Sequence, residues 1–173
     1  MRGPARYPSG SVEYISLGDI GTWYGGSTPS KTVSEFWANG STPWLSPKDM
    51  DTDRVLSTQD HVSDAALKNS PLRLVPAGSL AFVVRSNVLR RRFPVALVPF
   101  PVTLNQDMRA VIPHDCILVE YLAQVCRARA ASILAKAGRT DGSMAAIRSA
   151  EFMSYRIPVP PLNIQRELVW ILT

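Results

Sequence analysis

The sequence predicts an α/β domain of the α+β type, mixed and strand-rich, with irregular loops, one long packed helix and the start of a second helix. Short apolar runs rich in β-branched residues recur before residue 113, which is typical of buried strands. From Ile117 the apolar residues instead recur at spacings of three, four and seven or eight, which indicates an amphipathic helix ending at Gly138. Fourteen prolines favour edges, turns and irregular connections.

The predicted strands follow one another from the first apolar segment onward. Each is a run of three to six residues in which apolar or β-branched residues alternate or dominate. The runs are residues 12–17, 42–45, 80–84, 95–98, 102–104 and 108–112. Pro43 confines the second run to a sheet edge or to the start of a strand, because proline has no amide hydrogen to donate.

Turns and short helices are predicted between and after these runs. Gly25 and Gly26 lie in a turn-rich loop over residues 23–30 and can take positive φ there. Ser63 is a candidate N-cap for a short helix over residues 64–69. The remaining predicted segments are a polar turn at 105–107, a glycine-bracketed loop at 138–143, an extended segment at 157–161 and a helical pattern starting at 162.

The composition is that of one soluble globular domain. The chain has 173 residues, 46% of them hydrophobic and 19% charged, which is enough to bury a core. Its net charge of +5 permits a nucleic acid or another anionic partner without requiring one. Cys116 and Cys126 are too few for a disulfide scaffold, residues 1–10 lack the apolar segment of a secretory signal, and no run could span a membrane. We therefore expect a cytoplasmic protein with no membrane association.

Four arginines lie on one connection between the predicted strands 80–84 and 95–98. They are Arg85, Arg90, Arg91 and Arg92. Guanidinium groups bind phosphate oxygens in a bidentate manner and can hydrogen-bond to guanine, so a cluster on a loop suits an anionic partner. A solvated, charged hairpin tip explains this stretch equally well when it is considered alone.

Other loops add residues of the types that DNA-binding proteins use. Ser27 and Thr28 lie in the first loop, Lys48 follows the strand at 42–45, and Arg139 and Thr140 lie in the glycine-bracketed loop. Arginine, lysine, serine and threonine contact phosphates, and arginine and amide side chains contact bases. Asn105 and Asp107 are better explained by a polar turn whose side chains satisfy nearby backbone groups.

Catalysis and metal binding have little support in the sequence. Asp49, Asp51, Asp53 and Asp60 imitate the spacing of a calcium loop, but Arg54 stands where the sharp turn needs glycine. Neither a nucleophile elbow nor a phosphate-binding glycine loop is present. The sequence favours a chain that is not an enzyme and needs no cofactor, and a metal-dependent hydrolase at residues 49–60 is the weakest of three hypotheses.

Several segments together resemble the target recognition domain of the specificity subunits of type I restriction-modification systems. In order along the chain they are residues 25–30 (GGSTPS), 42–50 (TPWLSPKDM), 74–80 (LVPAGSL), 84–85, 89–90, 105–110 (NQDMRA) and 157–162 (IPVPPL) with Gln165. Each segment is weak alone, but their order and spacing fit from about Val12 to the end of the chain.

The resemblance implies a recognition domain over residues 12–161 that binds double-stranded DNA in the major groove and reads one half of a split site, as part of host defence. Residues 1–11 are expected to form a flexible tail, and residues 162–173 the truncated start of a spacer helix that docks methyltransferase subunits. S-adenosylmethionine is expected only on a partner methyltransferase, which would flip the target adenine. The predicted DNA-binding residues are Ser27, Thr28, Lys48, Arg85, Ser86, Arg90, Arg91, Arg92, Arg139 and Thr140.

The chain also departs from the family pattern. Ser86 follows Arg85 where members often have glycine, and we expect this substitution to alter the backbone of the loop. The chain holds one recognition domain and stops at Thr173, where the spacer helix has only begun. A second hypothesis is therefore a protein-interaction fragment, in which Leu168, Ile171 and Leu172 pair with a second copy or a second recognition domain.

Overall fold

The computed structural model describes residues 11–140 and 142–172. Its strands are β1 (Glu13–Ser16), β2 (Gly21–Gly25), β3 (Thr42–Leu45), β4 (Asp60–Val62), β5 (Ser79–Val83), β6 (Val95–Val98), β7 (Thr103–Leu104), β8 (Met108–Pro113), β9 (Gly138–Arg139), β10 (Ala146–Ile147) and β11 (Arg156–Val159). Its α-helices are α1 (Asp64–Asn69), α2 (Val119–Ala128), α3 (Ala130–Ala137), α4 (Ser149–Met153) and α5 (Leu162–Leu172). The predicted tail, apart from Ser11, lies outside the described residues. The mixed content of helix and sheet confirms the predicted fold class.

The larger sheet has the strand order β2-β8-β5-β6, with antiparallel pairing throughout. Every residue of β5 is buried, which explains why this strand is a continuous apolar run instead of an alternating one. The Phe82 ring of β5 contacts Trp23, Phe93 and Phe152, with ring centroids 5.5 to 5.9 Å apart. Tilted and edge-to-face aromatic pairs of this kind add to the energy of burial, and Phe152 thereby fixes α4 to the sheet.

The smaller sheet has the order β4-β3-β7, in which β3 is antiparallel to β4 and parallel to β7. Pro43 pairs with His61 of β4 and lies one residue before the first parallel pair, Trp44 with Thr103, and its nitrogen has no hydrogen to donate. The Thr103 hydroxyl donates instead to the Pro43 carbonyl at 3.0 Å. The prediction that Pro43 belongs at a strand start is confirmed, although β3 is the central strand.

Local predictions with strong sequence signals agree with the structure. Residues 42–45 and 95–98 form strands with the predicted bounds. Ser63 caps α1 as predicted, because its hydroxyl oxygen accepts a hydrogen bond from the Ala66 amide at 3.3 Å. The prediction of a loop over residues 23–30 is wrong for its first three residues, which belong to β2. The β2 residues form a ladder with β8, so a long-range partner overrides the local turn composition.

The predicted single long helix is two helices, α2 and α3, separated at Arg129. Arg129 has φ −98° and ψ 8°, outside the helical region. The two halves pack against different partners: α2 against β5, β6 and α5, and α3 against α4. A straight helix would present one continuous apolar stripe to a single neighbour. The break at Arg129 instead lets α2 and α3 each bury an apolar face against a different neighbour. No helix in the described part of the chain is long and apolar enough to cross a membrane.

Helix α5 is attached at the end of the larger sheet where β8 finishes. After Pro113 the His114 amide donates to the Ile20 carbonyl at 2.9 Å, and the chain then turns into α2. The side chain of Gln165, in α5, is fully buried against this turn. Its amide oxygen accepts from the Leu118 amide at 2.9 Å, and its amide nitrogen donates to the carbonyls of Cys116 and Pro160 at 2.9 and 2.7 Å. We call this region the helix end of the domain.

Candidate nucleic-acid interface

Five connections meet at the opposite end of the two sheets. Strands β2 and β5 end where their common neighbour β8 begins, because both pair with it in antiparallel register. Strands β3 and β7 are parallel and end together beside Asn105, whose amide donates to the Leu45 carbonyl at 2.9 Å. The hairpin of β9 and β10 is attached to the connection after β5 by a hydrogen bond of 2.9 Å from the Ser86 amide to the Ala145 carbonyl. We call this the loop end; it comprises residues 26–31, 46–49, 84–94, 105–107, 138–140 and 142–146.

The loop end brings together all ten residues that the sequence nominates for DNA binding. Each of them lies in one of the five connections, although the sequence spreads them from residue 27 to residue 140. Their side chains differ in what they contact. The structure separates those that are used inside the protein from those that are available to a partner.

The glycines of the first loop are required for close approach of two backbones. An ideal Cβ on Gly26 would lie 1.8 Å from the Asn105 carbonyl oxygen, so only glycine fits there. Glycine can take positive φ, but neither Gly25 nor Gly26 does so here. The Ser27 amide donates to the Leu104 carbonyl at 2.9 Å and holds the two connections together.

Two tryptophan side chains and one polar pair fix the first loop. The indole N–H groups of Trp37 and Trp44 donate to the carbonyls of Ser30 and Ser27 at 3.2 and 3.1 Å. The Thr28 hydroxyl donates to the amide oxygen of Gln106, which is exposed at the tip of the neighbouring turn. Thr28 is itself exposed, whereas the Ser27 hydroxyl oxygen is buried without a hydrogen-bond partner among the described residues. Ser27 therefore shapes the loop with its backbone, and its hydroxyl does not face a partner.

Two of the four clustered arginines use their guanidinium groups to hold the protein together. Arg90 donates to the carbonyls of Thr140 and Gly142 at 3.1 and 2.8 Å, which attaches the β9–β10 hairpin to the arginine connection. Arg92 donates to the Met50 carbonyl at 3.2 Å and forms an ion pair of 3.1 Å with Asp51. These hydrogen bonds span 50 and 42 residues of sequence, so no local pattern could have predicted them.

The other two arginines point away from such contacts. Arg91 is exposed, and its side chain forms no hydrogen bond or ion pair with a described residue. Arg85 is exposed beside the carboxylate of Asp107. Burial raises the pKa of the Asp107 carboxyl, and the Arg85 charge opposes that rise. Arg85 and Arg91 are the arginines of the cluster that can bind an external anion without breaking a contact that holds the fold.

Ser86 does not distort the arginine connection. Its φ of 178° is extended backbone that any residue adopts, so the expectation that serine alters this loop is wrong. The Ser86 hydroxyl oxygen accepts a hydrogen bond from the Val88 amide at 3.3 Å and caps a single helical turn. Serine at this position therefore adds a local hydrogen bond that glycine could not form.

The remaining predicted residues lie on the flanks of the loop end. Lys48 forms an exposed ion pair with Asp60 at 2.8 Å, and Arg139 and Thr140 lie exposed in the hairpin. The four aspartates of the calcium-like pattern have separate partners: Asp49 bonds to the Ser46 backbone, and Asp51, Asp53 and Asp60 pair with Arg92, Arg127 and Lys48. Residues 11–140 and 142–172 contain no group of three or more histidine, cysteine or acidic residues that could hold a metal ion.

The polar turn at residues 105–107 has the role expected of Asn105. The Asn105 side-chain oxygen accepts from the Asp107 amide at 2.6 Å, and the Asn105 carbonyl accepts from the Met108 amide at 3.0 Å. Sequence reasoning left Gln106 and Arg109 out of the candidate site. Gln106 lies in this turn and is exposed, and Arg109 follows it in β8 and is partly exposed. Their signal was present in the segment NQDMRA, but only pairing of β8 with β2 brings them next to the first loop.

The scaffold gathers cationic and hydroxyl-bearing loops at one end, and side chains of these types contact phosphates and bases in DNA-binding proteins. Comparison with known families agrees. A family model described as "Type I restriction modification DNA specificity domain" matches residues 10–173, and the chain belongs to this family. This membership confirms the predicted resemblance and the prediction of a specificity component rather than an enzyme.

Similar proteins come from bacteria and archaea. The chain is 49% identical over 166 residues to the type I restriction enzyme EcoR124I/EcoR124II specificity subunit of Escherichia coli, covering 96% of this chain and 41% of that protein. It is 28% identical over 158 residues to the MjaIX specificity subunit of Methanocaldococcus jannaschii, covering 90% of this chain and 35% of that protein. The chain thus spans about two fifths of the length of these relatives.

A solved structure shows the same fold. The crystal structure of the HsdS subunit from Thermoanaerobacter tengcongensis aligns with a TM-score of 0.69 at 21% identity, covering 99% of this chain and 38% of that one. The chain therefore shares the fold of 38% of that HsdS subunit.

Proposed function

We propose that this domain binds double-stranded DNA through the loop end and reads one half of a bipartite site for a type I restriction-modification complex. The observation that supports this most directly is the convergence of all ten nominated residues on one end of the scaffold. A duplex that approaches this end meets loops from five connections at once. Such loops can supply both the phosphate contacts that orient a duplex and the base contacts that give specificity.

The arginines have different roles in this proposal. Arg85 and Arg91 contact the duplex, together with Thr28 and the hairpin residues Arg139 and Thr140. Arg90 and Arg92 act by positioning loops, since their guanidinium groups already donate to backbone carbonyls. Lys48 joins the contacts by exchanging its exposed partner Asp60 for a phosphate, which costs little because exposed ion pairs are weak.

Selection from a randomised duplex pool at moderate salt tests the proposal. We expect retained DNA to be enriched in one short half-site. Retention without enrichment would mean that the domain contacts only phosphates, and it would remove the base-reading part of the proposal. Absence of binding even at low salt would contradict the proposal as a whole.

The Arg91→Ala variant is expected to bind a selected duplex about tenfold more weakly, with no change in unfolding midpoint. Arg91 lacks a partner within the described chain, so its removal affects only the contact with DNA.

Arg90→Ala should weaken binding and also lower the midpoint in urea, because the Thr140 and Gly142 carbonyls lose their donor. Arg90→Lys keeps the charge but not the paired geometry, so it should resemble Arg90→Ala. Fluorescence anisotropy and urea unfolding on the same samples measure both effects; equal midpoints for the Arg90 and Arg91 variants would contradict this division.

The Asp107→Asn variant is expected to bind DNA about two- to fivefold more tightly at neutral pH. The Asp107 carboxylate stands beside Arg85 and accepts no hydrogen bond from a described residue, so asparagine removes only a charge that competes with phosphate. The pKa of Asp107 is raised in the fold, so this group stabilises the fold at low pH and loses that contribution as pH rises through the folded pKa. Asp107→Asn should therefore leave stability at pH 7 undiminished. Weaker binding, measured by anisotropy at low salt, would contradict the assignment.

The partners proposed for this domain are methyltransferase subunits that methylate the DNA with S-adenosylmethionine, and its place is the cytoplasm. Helix α5 offers the surface for such partners, since the side chains of Trp170 and Ile171 are 83% and 68% exposed. Leu168, nominated with Ile171 from the sequence, is half-buried, and the side chain of Leu172 lies outside the described residues. Pairing of this face with a second copy is the alternative. Size exclusion over a range of concentrations separates the two, because a persistent monomer excludes self-pairing.

A further inference from the structure

Arg109 is a cation beside the loop end, and it is not one of the ten predicted DNA-binding residues. It lies in β8 between two strands, opposite Gly25 of β2 and Phe82 of β5. Its side chain lines a small cavity of about 50 Å³ with Val84 and Phe152, next to the aromatic cluster of the core. Its guanidinium extends over the backbone of Gly25, at the edge of the sheet and next to the first loop.

The Arg109 guanidinium has no acceptor within the described chain. It forms no hydrogen bond and no ion pair, although the residue is only partly exposed. The partly buried guanidinium of Arg127, by contrast, donates a hydrogen bond to the Val95 carbonyl and pairs with the Asp53 carboxylate. A partly desolvated cation without a counter-ion is unfavourable, and an external anion relieves that cost.

Gly25 leaves the space that the guanidinium occupies. An ideal Cβ at Gly25 would lie 2.7 Å from Nη1 of Arg109, closer than the two atoms can approach. Gly25 does not have a positive φ, so its backbone does not explain the glycine. A side chain at this position would displace the end of a flexible arginine, which costs the fold little but moves the charge.

We propose that Arg109 binds a backbone phosphate of the duplex at the loop end, and that Gly25 keeps its guanidinium in place. This inference rests on the proposed function. Arg109 lies in a paired strand and its guanidinium lies over the Gly25 backbone, three residues along the chain from Thr28, whose exposed hydroxyl bonds to Gln106. A group at that position meets the outside of a duplex whose groove is occupied by the loop tips. Guanidinium binds phosphate with paired, charge-assisted hydrogen bonds.

The experiment is a double-mutant cycle with Arg109→Gln and Gly25→Ala, measured by anisotropy on a selected and an unrelated duplex over a series of salt concentrations. Arg109→Gln should weaken binding to both duplexes by about tenfold and make the slope of log affinity against log salt shallower by about one. Gly25→Ala should weaken binding in the same direction with little change in the urea midpoint. The double variant should bind no more weakly than Arg109→Gln alone, because both act through one guanidinium.

The matched control is Arg166→Gln, which makes the same charge change at an exposed position of α5 at the helix end. It should leave affinity and salt slope close to those of the unchanged chain. Equal affinity of Arg109→Gln and the unchanged chain would overturn the inference alone. A loss confined to one base position would show that Arg109 contacts a base and would overturn the phosphate assignment. Failure of the unchanged chain to bind either duplex would overturn the proposed function as well.

Discussion

Gly26→Ala is expected to abolish DNA binding and to destabilise the domain by about 3 kcal/mol. The new methyl group would overlap the Asn105 carbonyl oxygen, which belongs to a rigid turn and not to a flexible side chain. Relief requires the first loop to move away from the turn, and this movement breaks the hydrogen bond from the Ser27 amide to the Leu104 carbonyl. The Thr28 contact with Gln106 is lost in the same step.

Urea unfolding and anisotropy on Gly26→Ala test this prediction. For stability, but not for DNA affinity, Gly25→Ala is the matched control, because it adds the same methyl group one residue earlier and meets only the end of the Arg109 side chain. We expect its midpoint to be nearly unchanged. Equal midpoints for the two variants would show that the close approach of the two backbones is not what requires Gly26.

Gln165→Leu is expected to lower the free energy of unfolding by about 3 kcal/mol or more, because each buried polar group left without a partner costs about 1–3 kcal/mol. Leucine is similar in size but removes the three hydrogen bonds that Gln165 makes with the Leu118 amide and with the carbonyls of Cys116 and Pro160. The side chain is fully buried, so water does not replace the amide. The loss also frees the start of α5 from the turn before α2.

Chemical denaturation measures the stability, and the affinity for DNA separates the two ends of the domain. Asn163→Ala is the control, since it truncates an exposed amide in the same helix and should change stability by less than about 0.5 kcal/mol. DNA affinity of the folded Gln165→Leu fraction should match that of the unchanged chain, because Gln165 bonds to the turn before α2 at the helix end. An unchanged midpoint would contradict the role assigned to Gln165.

Parts of this fold were predictable because their signals are local. The strand at 95–98 is a short apolar run, and the helix at 64–69 begins with a serine whose side chain caps it. The break at Arg129 was not predictable, since neither proline nor glycine marks it and it reflects which neighbours the two halves pack against. The apolar period continues through the break.

The candidate site divides in the same way. Residue type was sufficient to nominate the ten side chains, and the resemblance placed them in a DNA-recognition domain. Their individual roles depend on contacts between distant segments, such as those that engage Arg90 and bury the Ser27 hydroxyl. A guanidinium that binds a carbonyl and one that is available to a phosphate have the same sequence signature, so only the fold can separate them.

The placement of the loop end and the helix end at opposite ends of one sheet has a consequence for how such a protein can evolve. Strand β8 connects them, and its six residues correspond to about 20 Å at roughly 3.3 Å per residue. Under the proposed function, mutations that change the bases contacted by the loops lie at the other end of the sheet from the side chains that attach α5. New sequence preferences would then arise without compensating changes at the proposed assembly surface, so a lineage could diversify its targets while keeping its partners.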